Sequence, residues 1–296
     1  MGIAVSPAPP PPGVASGQTV LYGVTGVNHG ASSLYTVNTS TGLATLVGAT
    51  GFNGVSALAF APNGITLYGE ANASPTSPRT LITINTSTGA GTAIGAAAIS
   101  SNFADIAFRS DGVLFGVNGN GNLYTINTST GAATLVGHPG TPFVGGGGLA
   151  FNAGGILYLA NTLGGVTNNR LFTVNTSTGA ATQVGTFDMS AFPAGTDRFA
   201  GMKFHPMSGV LYATAFVNIE PSTSSRLASA STFSGSIVVT NIGNPGVVLE
   251  AIAFGGAAAP PPPPGIPIPS SLLLLGTGLV AATMWILWRR RLGAAL

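Results

Sequence analysis

The sequence predicts an all-β fold, a β-propeller of five four-stranded blades, on three observations. An apolar run ending in Asn-Thr-Ser-Thr-Gly recurs along the chain, each copy divides into four short strand-like segments, and the two ends of the array are complementary fragments of one blade. A C-terminal transmembrane helix is expected beyond the array.

The repeat appears as Leu34-Tyr35-Thr36-Val37-Asn38 with Gly42, Leu81-Ile82-Thr83-Ile84-Asn85 with Gly89, Leu123-Tyr124-Thr125-Ile126-Asn127 with Gly131, and Leu171-Phe172-Thr173-Val174-Asn175 with Gly179. The asparagines are 47, 42 and 48 residues apart, and periods of ~40–50 residues belong to propeller blades or solenoid units. A fifth, eroded copy begins at Leu227 and aligns as far as Gly235, with Ser231 in the asparagine position.

Large apolar residues alternating with Thr mark a half-buried strand. A second β-favouring run follows each glycine, as in Ala44 to Val47 and Ala133 to Val136. Between them, Asn-Thr-Ser-Thr-Gly is a hairpin connection: Asn and Ser bond their own backbone and Gly supplies positive φ. The same asparagines begin sequons for glycosylation, a secondary reading of the motif. A third segment type ends in Phe60, Phe108, Phe151, Phe204 or Phe254 and is small-residue-rich, which suits the innermost strand around a narrow channel. A tight turn then leads to a fourth type, Leu67-Tyr68, Leu114-Phe115, Leu157-Tyr158 and Leu211-Tyr212.

The first strand, Val20-Leu21-Tyr22-Gly23-Val24, has no Ala-Phe segment before it, and the last, Ala251-Ile252-Ala253-Phe254, has no Leu-Tyr segment after it. Pairing them closes a ring and removes free sheet edges. Five blades is the expected count, with six as the alternative. Short turns then share one face. Longer connections at 25–33, 71–79, 138–147, 161–170, 186–199 and 215–226 share the other, where a binding site is expected.

Composition narrows the function. Only 5% of the residues are charged, against roughly 25% in ordinary soluble domains. Of nine Lys and Arg, three are Arg289, Arg290 and Arg291, so the body lacks the basic footprint of a nucleic-acid binder. Without cysteine there are no disulfides, thiol nucleophiles or Cys-based metal sites.

The expected layout is a Pro-rich linker at 1–19, the propeller at 20–255, a Pro-rich spacer at 256–271, the transmembrane helix at 272–288 and a basic cytoplasmic tail at 289–296. Leu272 to Trp288 carries no charge, and its 17 residues span roughly 26 Å as a helix, the short end of a membrane crossing. Trp285 and Trp288 sit at one end beside the three arginines, as an interfacial belt and a positive cytoplasmic flank do. Met1 to Gly17 has neither the basic start nor the apolar stretch of a signal peptide, so an export leader is expected upstream.

Pro267-Ile268-Pro269, an apolar helix, an arginine cluster and the chain end, in that order, resemble the PEP-CTERM sorting signal of Gram-negative bacteria, with Ile where the name-giving Glu stands. The resemblance covers Gly265 to Leu296. It implies an exported protein of the cell envelope, processed by an exosortase-type protease and associated with exopolysaccharide or biofilm. The Leu-Tyr-Thr-Val-Asn-Thr-Ser-Thr-Gly repeats are similar to those of uncharacterised propeller domains that accompany this signal.

No catalytic, cofactor-binding or metal constellation is read from the sequence. His29 and His138 fall in long loops of different repeats, and Asp188, Asp197 and Arg198 share the 186–199 connection. These five are the binding-face candidates, the last three as a sugar-binding cluster. Asp105 begins an innermost strand and would face the channel. The expected function is a non-enzymatic, surface-displayed or membrane-anchored binding or matrix propeller, its partners the membrane, the protease and extracellular polysaccharide. The alternative is a periplasm-facing enzyme acting on polysaccharide, which needs two placed carboxylates.

Overall fold

The structure, a computed structural model, describes residues 19–26, 29–71, 79–96, 103–140, 147–162, 169–193, 196–219, 222–231 and 233–256. The expected transmembrane helix at 272–288, the Pro267-Ile268-Pro269 motif, Trp285, Trp288 and Arg289 to Arg291 lie outside them. Among the described residues no helix is long and apolar enough to cross a membrane.

Blade 1 holds β1 (Val20–Val24), β2 (Ala31–Val37) and β3 (Ala44–Asn53); blade 2 holds β4 (Ala57–Phe60), β5 (Leu67–Ala71), β6 (Thr80–Ile84) and β7 (Gly91–Ala96). Blade 3 is β8 (Phe103–Phe108), β9 (Leu114–Asn118), β10 (Leu123–Ile126) and β11 (Ala133–Gly137). Blade 4 is β12 (Leu149–Phe151), β13 (Leu157–Thr162), β14 (Asn169–Val174) and β15 (Ala181–Asp188). Blade 5 begins with β16 (Thr196–Phe204), β17 (Leu211–Ile219) and β18 (Ser222–Ala230), after which come β19 (Gly235–Val238), β20 (Thr240–Gly243) and β21 (Ala251–Gly255). β21 joins blade 1 as its innermost strand, opposing Leu21 to Phe254 and Tyr22 to Ala253. The inner strands β21, β4, β8, β12 and β16 contact one another in that cyclic order, and the ring is a five-bladed propeller.

Each interface between blades carries its own core. Among the described residues, five apolar clusters bridge blades 1 and 2, 2 and 3, 3 and 4, 4 and 5, and 5 and 1. A bulge feeds each one. The outer strand of every blade skips one residue against its neighbour, at Val47, Ile94, Val136, Val184 and Ile242. The skipped residue turns inward and packs on the cluster.

The Asn-Thr-Ser-Thr-Gly turns form as their chemistry predicts. Asn127 Oδ1 accepts from the backbone N–H groups of Ser129 and Thr130 at 2.9 and 3.0 Å, and Asn38, Asn85 and Asn175 do the same. Gly131 closes the turn at φ 75°. It also lies against Gly95 of the outer strand of blade 2, so that a Cβ on Gly95 would strike the carbonyl oxygen of Thr130. The same contact joins Gly48 to Gly89, Gly137 to Gly179 and Gly243 to Gly42. The motif is therefore a turn and an inter-blade seam at once.

Two expectations are corrected. Four sheets have four strands, but blade 4 has five, because β19 adds in parallel to β15 with Gly185 opposite Gly235. The eroded fifth copy places more residues between β18 and β20 than the other copies do between their last two strands. The extra length covers the blade 4 edge and buries Ile237. Nor are 186–199 and 215–226 long irregular loops. β17 and β18 pair without a break from Leu211 opposite Ala230 to Ile219 opposite Ser222, while β15 runs to Asp188 and β16 starts at Thr196. Thr, Val and Phe in these stretches favour continued strand over loop.

Candidate functional site: the aromatic mouth and its ion pair

The inner strands end in a ring of phenyl groups. Phe60, Phe108, Phe151, Phe204 and Phe254, one per blade, line a pocket of about 120 Å³ on the short-turn face. Each packs against an aromatic on the second strand of the preceding blade: Tyr22 on Phe60, Tyr68 on Phe108, Phe115 on Phe151, Tyr158 on Phe204, Tyr212 on Phe254. Centroid separations of 5.2 to 5.6 Å with tilted or edge-on planes are favourable aromatic geometry. The Leu-Tyr segment of one blade thus meets the Ala-Phe segment of the next, besides pairing with the Ala-Phe strand of its own blade.

Below the phenyls, the channel is framed by small residues. Preceding each Phe stand Ala59, Ala107, Ala150, Lys203 and Ala253; two positions earlier stand Ala57, Asp105, Gly148, Gly201 and Ala251. Close approach makes the glycines necessary, since a Cβ on Gly201 would come within 2.8 Å of Ala251 Cα. Each ring has one charged exception, and the two exceptions meet. Lys203 Nζ donates to Asp105 Oδ2 at 2.6 Å and to the Leu149 carbonyl at 3.0 Å. Asp105 Oδ2 also accepts from the N–H of Leu149 at 2.8 Å and of Met202 at 3.3 Å, while Oδ1 accepts from Ile106 N–H at 2.9 Å. One carboxylate thereby links the inner strands of blades 3, 4 and 5.

Asp105 is fully buried and Lys203 is 9% exposed. Burial pushes the Asp105 carboxyl up and the Lys203 ammonium down, and their mutual attraction opposes both shifts. A buried pair of this kind persists only where further hydrogen bonds support it, here three backbone N–H groups on Asp105 and the Leu149 carbonyl on Lys203. The carboxylate is committed to structure.

A second buried acid lies in blade 2. Glu70 Oε2 accepts from Ser56 Oγ at 2.9 Å, and Oε1 stands 3.9 Å from Arg79 Nε with no hydrogen-bond partner among the described residues. Burial pushes Glu70 up to about 8, against the weaker pull of Ser56 and Arg79.

The sequence candidates are dispersed. His29 holds a positive φ of 61° between β1 and β2. His138 follows β11, its Nδ1 2.7 Å from Asn122 Oδ1. Asp188 ends β15, and its Oδ1 accepts from Ser190 N–H, which holds its carboxyl below the usual range. Asp197 and Arg198 belong to β16, with Arg198 opposite Phe216; their side chains lie outside the described residues. Asp188 and the Asp197–Arg198 pair thus sit on an outer strand of one blade and the inner strand of the next, not on one loop. Among the described residues no three His, Cys, Asp or Glu are grouped to hold a metal. His205 serves a turn, its Nδ1 accepting from Met207 and Ser208 N–H at 3.3 and 3.1 Å.

Lys203 was the residue that sequence reasoning missed. Its signal was available as the single departure from Ala-Phe among the registered copies, matched by one acid at an equally small position.

No curated protein matches the chain. Solved structures with similarity include the nidogen/laminin complex, at 11% identity and TM-score 0.49 over 81% of this chain and 99% of that one. A structural genomics protein of unknown function from Bacteroides thetaiotaomicron is 15% identical at TM-score 0.48, over 72% of this chain and 55% of its own. Kuenenia stuttgartiensis hydrazine synthase is 12% identical at TM-score 0.42, over 68% and 57%. The family described as a repeat of unknown function (DUF6923) matches residues 13–196, more than half of the length, and the chain belongs to that family.

Proposed function

We propose that the protein is a non-enzymatic propeller displayed at the Gram-negative cell surface or tethered to the envelope membrane through its C-terminal segment. Its tail carries a PEP-CTERM-like signal at Pro267-Ile268-Pro269 for an exosortase-type protease, and extracellular polysaccharide is the partner class. The observation that carries the reading is the tail itself: a proline spacer, an uncharged apolar stretch from Leu272 to Trp288, and Arg289 to Arg291. The ring suits the role. Val20 opposes Gly255, so both ends of the propeller leave from the short-turn face, and closure depends on no partner. The buried carboxylate at its centre is held by four donors, which supports a binding role over acid–base chemistry.

The test is fractionation of Gram-negative cells making the full chain behind an export leader, beside a variant lacking 265–296. The full chain is expected in the membrane or surface-matrix fraction and open to protease added to intact cells. The shortened one is expected free in the periplasm or medium. Equal, soluble partitioning of both would overturn the reading.

A further inference from the structure

The aromatic mouth is a formed cavity to which display assigns no task. Its volume is about 120 Å³ and it is partly open to solvent, so it offers somewhat less space than the roughly 150 Å³ closed apolar cavity that takes one benzene molecule. Phe60, Phe108, Phe151, Phe204 and Phe254 supply the wall, and among the described residues Lys203 is the one side chain lining it that carries a polar group.

An ammonium has three N–H donors. Asp105 Oδ2 and the Leu149 carbonyl engage two of those of Lys203, which leaves one for an oxygen in the cavity. Charge restricts what can bring that oxygen. The ion pair is already balanced, so a carboxylate ligand would place a second anion on one ammonium and shed its hydration against phenyl carbon. A ligand cation would meet the ammonium directly. A pyranose, with hydroxyls around its ring, would leave most of them unpartnered. An apolar ring meets tilted phenyl faces and edges instead, an arrangement aromatic groups favour.

We infer that the channel mouth binds a small neutral molecule built on one six-membered ring and bearing a single oxygen acceptor, the ring among the five phenyl groups and the oxygen on Lys203 Nζ. This site stands apart from the display reading and does not depend on it. It places specificity on the short-turn face, opposite the loops where binding was expected.

The experiment is ligand-observed NMR titration of the full chain with phenol and cyclohexanol against toluene, benzoate, benzylammonium and glucose. Phenol and cyclohexanol are expected to bind about tenfold more tightly than the others, the effect of one hydrogen bond from a charged donor. Ala107→Met extends a side chain from the lining into the cavity and is expected to abolish saturable binding. Lys203→Ala alone strands a buried carboxylate, so the usable control is Asp105→Ala with Lys203→Ala, which restores small residues to every blade. That double variant, with its fold checked by circular dichroism, is expected to keep toluene binding and lose the preference for phenol. The inference is overturned if benzoate or glucose matches phenol, if the phenol preference survives in the double variant, or if no probe saturates.

Discussion

Lys203 reaches 2.6 Å from Asp105, 98 residues earlier in the chain, and the two occupy positions that are Ala or Gly in every other blade. The propeller's internal symmetry is broken at its centre by a matched pair. Either charge alone would be a buried ion with no counterpart.

That relationship predicts strong coupling. Asp105→Ala or Lys203→Ala should each destabilise by about 3–5 kcal/mol, the cost of leaving one buried charge. The double variant should lose far less than the sum. Urea denaturation of the four proteins measures it, and additive losses would mean that the pair is not coupled.

The glycine seam between blades predicts a positional contrast. A Cβ on Gly137 would collide with the Thr178 carbonyl, whereas one on Gly154 meets the Asn152 side chain at an ordinary 3.4 Å. Gly137→Ala should cost about 1–3 kcal/mol, the range for backbone-level strain. Gly154→Ala should shift the melting temperature little. Equal effects would refute the seam.

Each turn asparagine accepts two backbone N–H groups, so Asn127→Ala should cost about 1–2 kcal/mol. Asn127→Asp, which keeps the acceptor oxygen, should recover most of it in the same thermal melt.

Glu70 sets a pH dependence. Its folded value of about 8 exceeds its ordinary 4.5, so between these limits the folded state holds a proton that the unfolded chain releases. Its contribution is whole below about pH 4.5 and is lost as pH rises through 8. The loss is on the order of 3–5 kcal/mol across that window. Glu70→Gln, close in shape to the protonated acid, should flatten stability against pH. An unchanged slope would assign the dependence elsewhere.

Closure by β21 carries the final prediction. Ending the chain after Leu249 removes Ala251 to Gly255 and bares β1, along with the cluster contacts of Ile252 and Ala253. The full chain is expected to unfold cooperatively in calorimetry, and the shortened chain to lose that transition and aggregate through the exposed edge.

Much of the ring was legible because its information is local and repeated. Asn38, Asn85, Asn127 and Asn175 announce a turn through side-chain chemistry that acts within three residues. Leu21 and Phe254 announced closure because each end lacked the strand the other supplied. The pairing of Tyr22 with Phe60 and of Gly95 with Gly131 was less legible, since each joins segments whose contact exists only once blades stack. His29, His138, Asp188, Asp197 and Arg198 stand out in the sequence only as charged or titratable groups near loops, and β15 and β16 separate Asp188 from the last two.

By itself the sequence determined strand type, the Asn-Thr-Ser-Thr-Gly turns and ring closure, and narrowed the blade count to five or six, since alternation, Asn-Gly turn chemistry and unmatched ends are properties of short stretches of chain. Only the tertiary structure decided that β19 would cross to blade 4, that five phenyl groups would converge on one mouth, and that Asp105 and Lys203 would meet. The reason is physical: ring geometry, which no single repeat contains, brings residues of different blades within bonding distance.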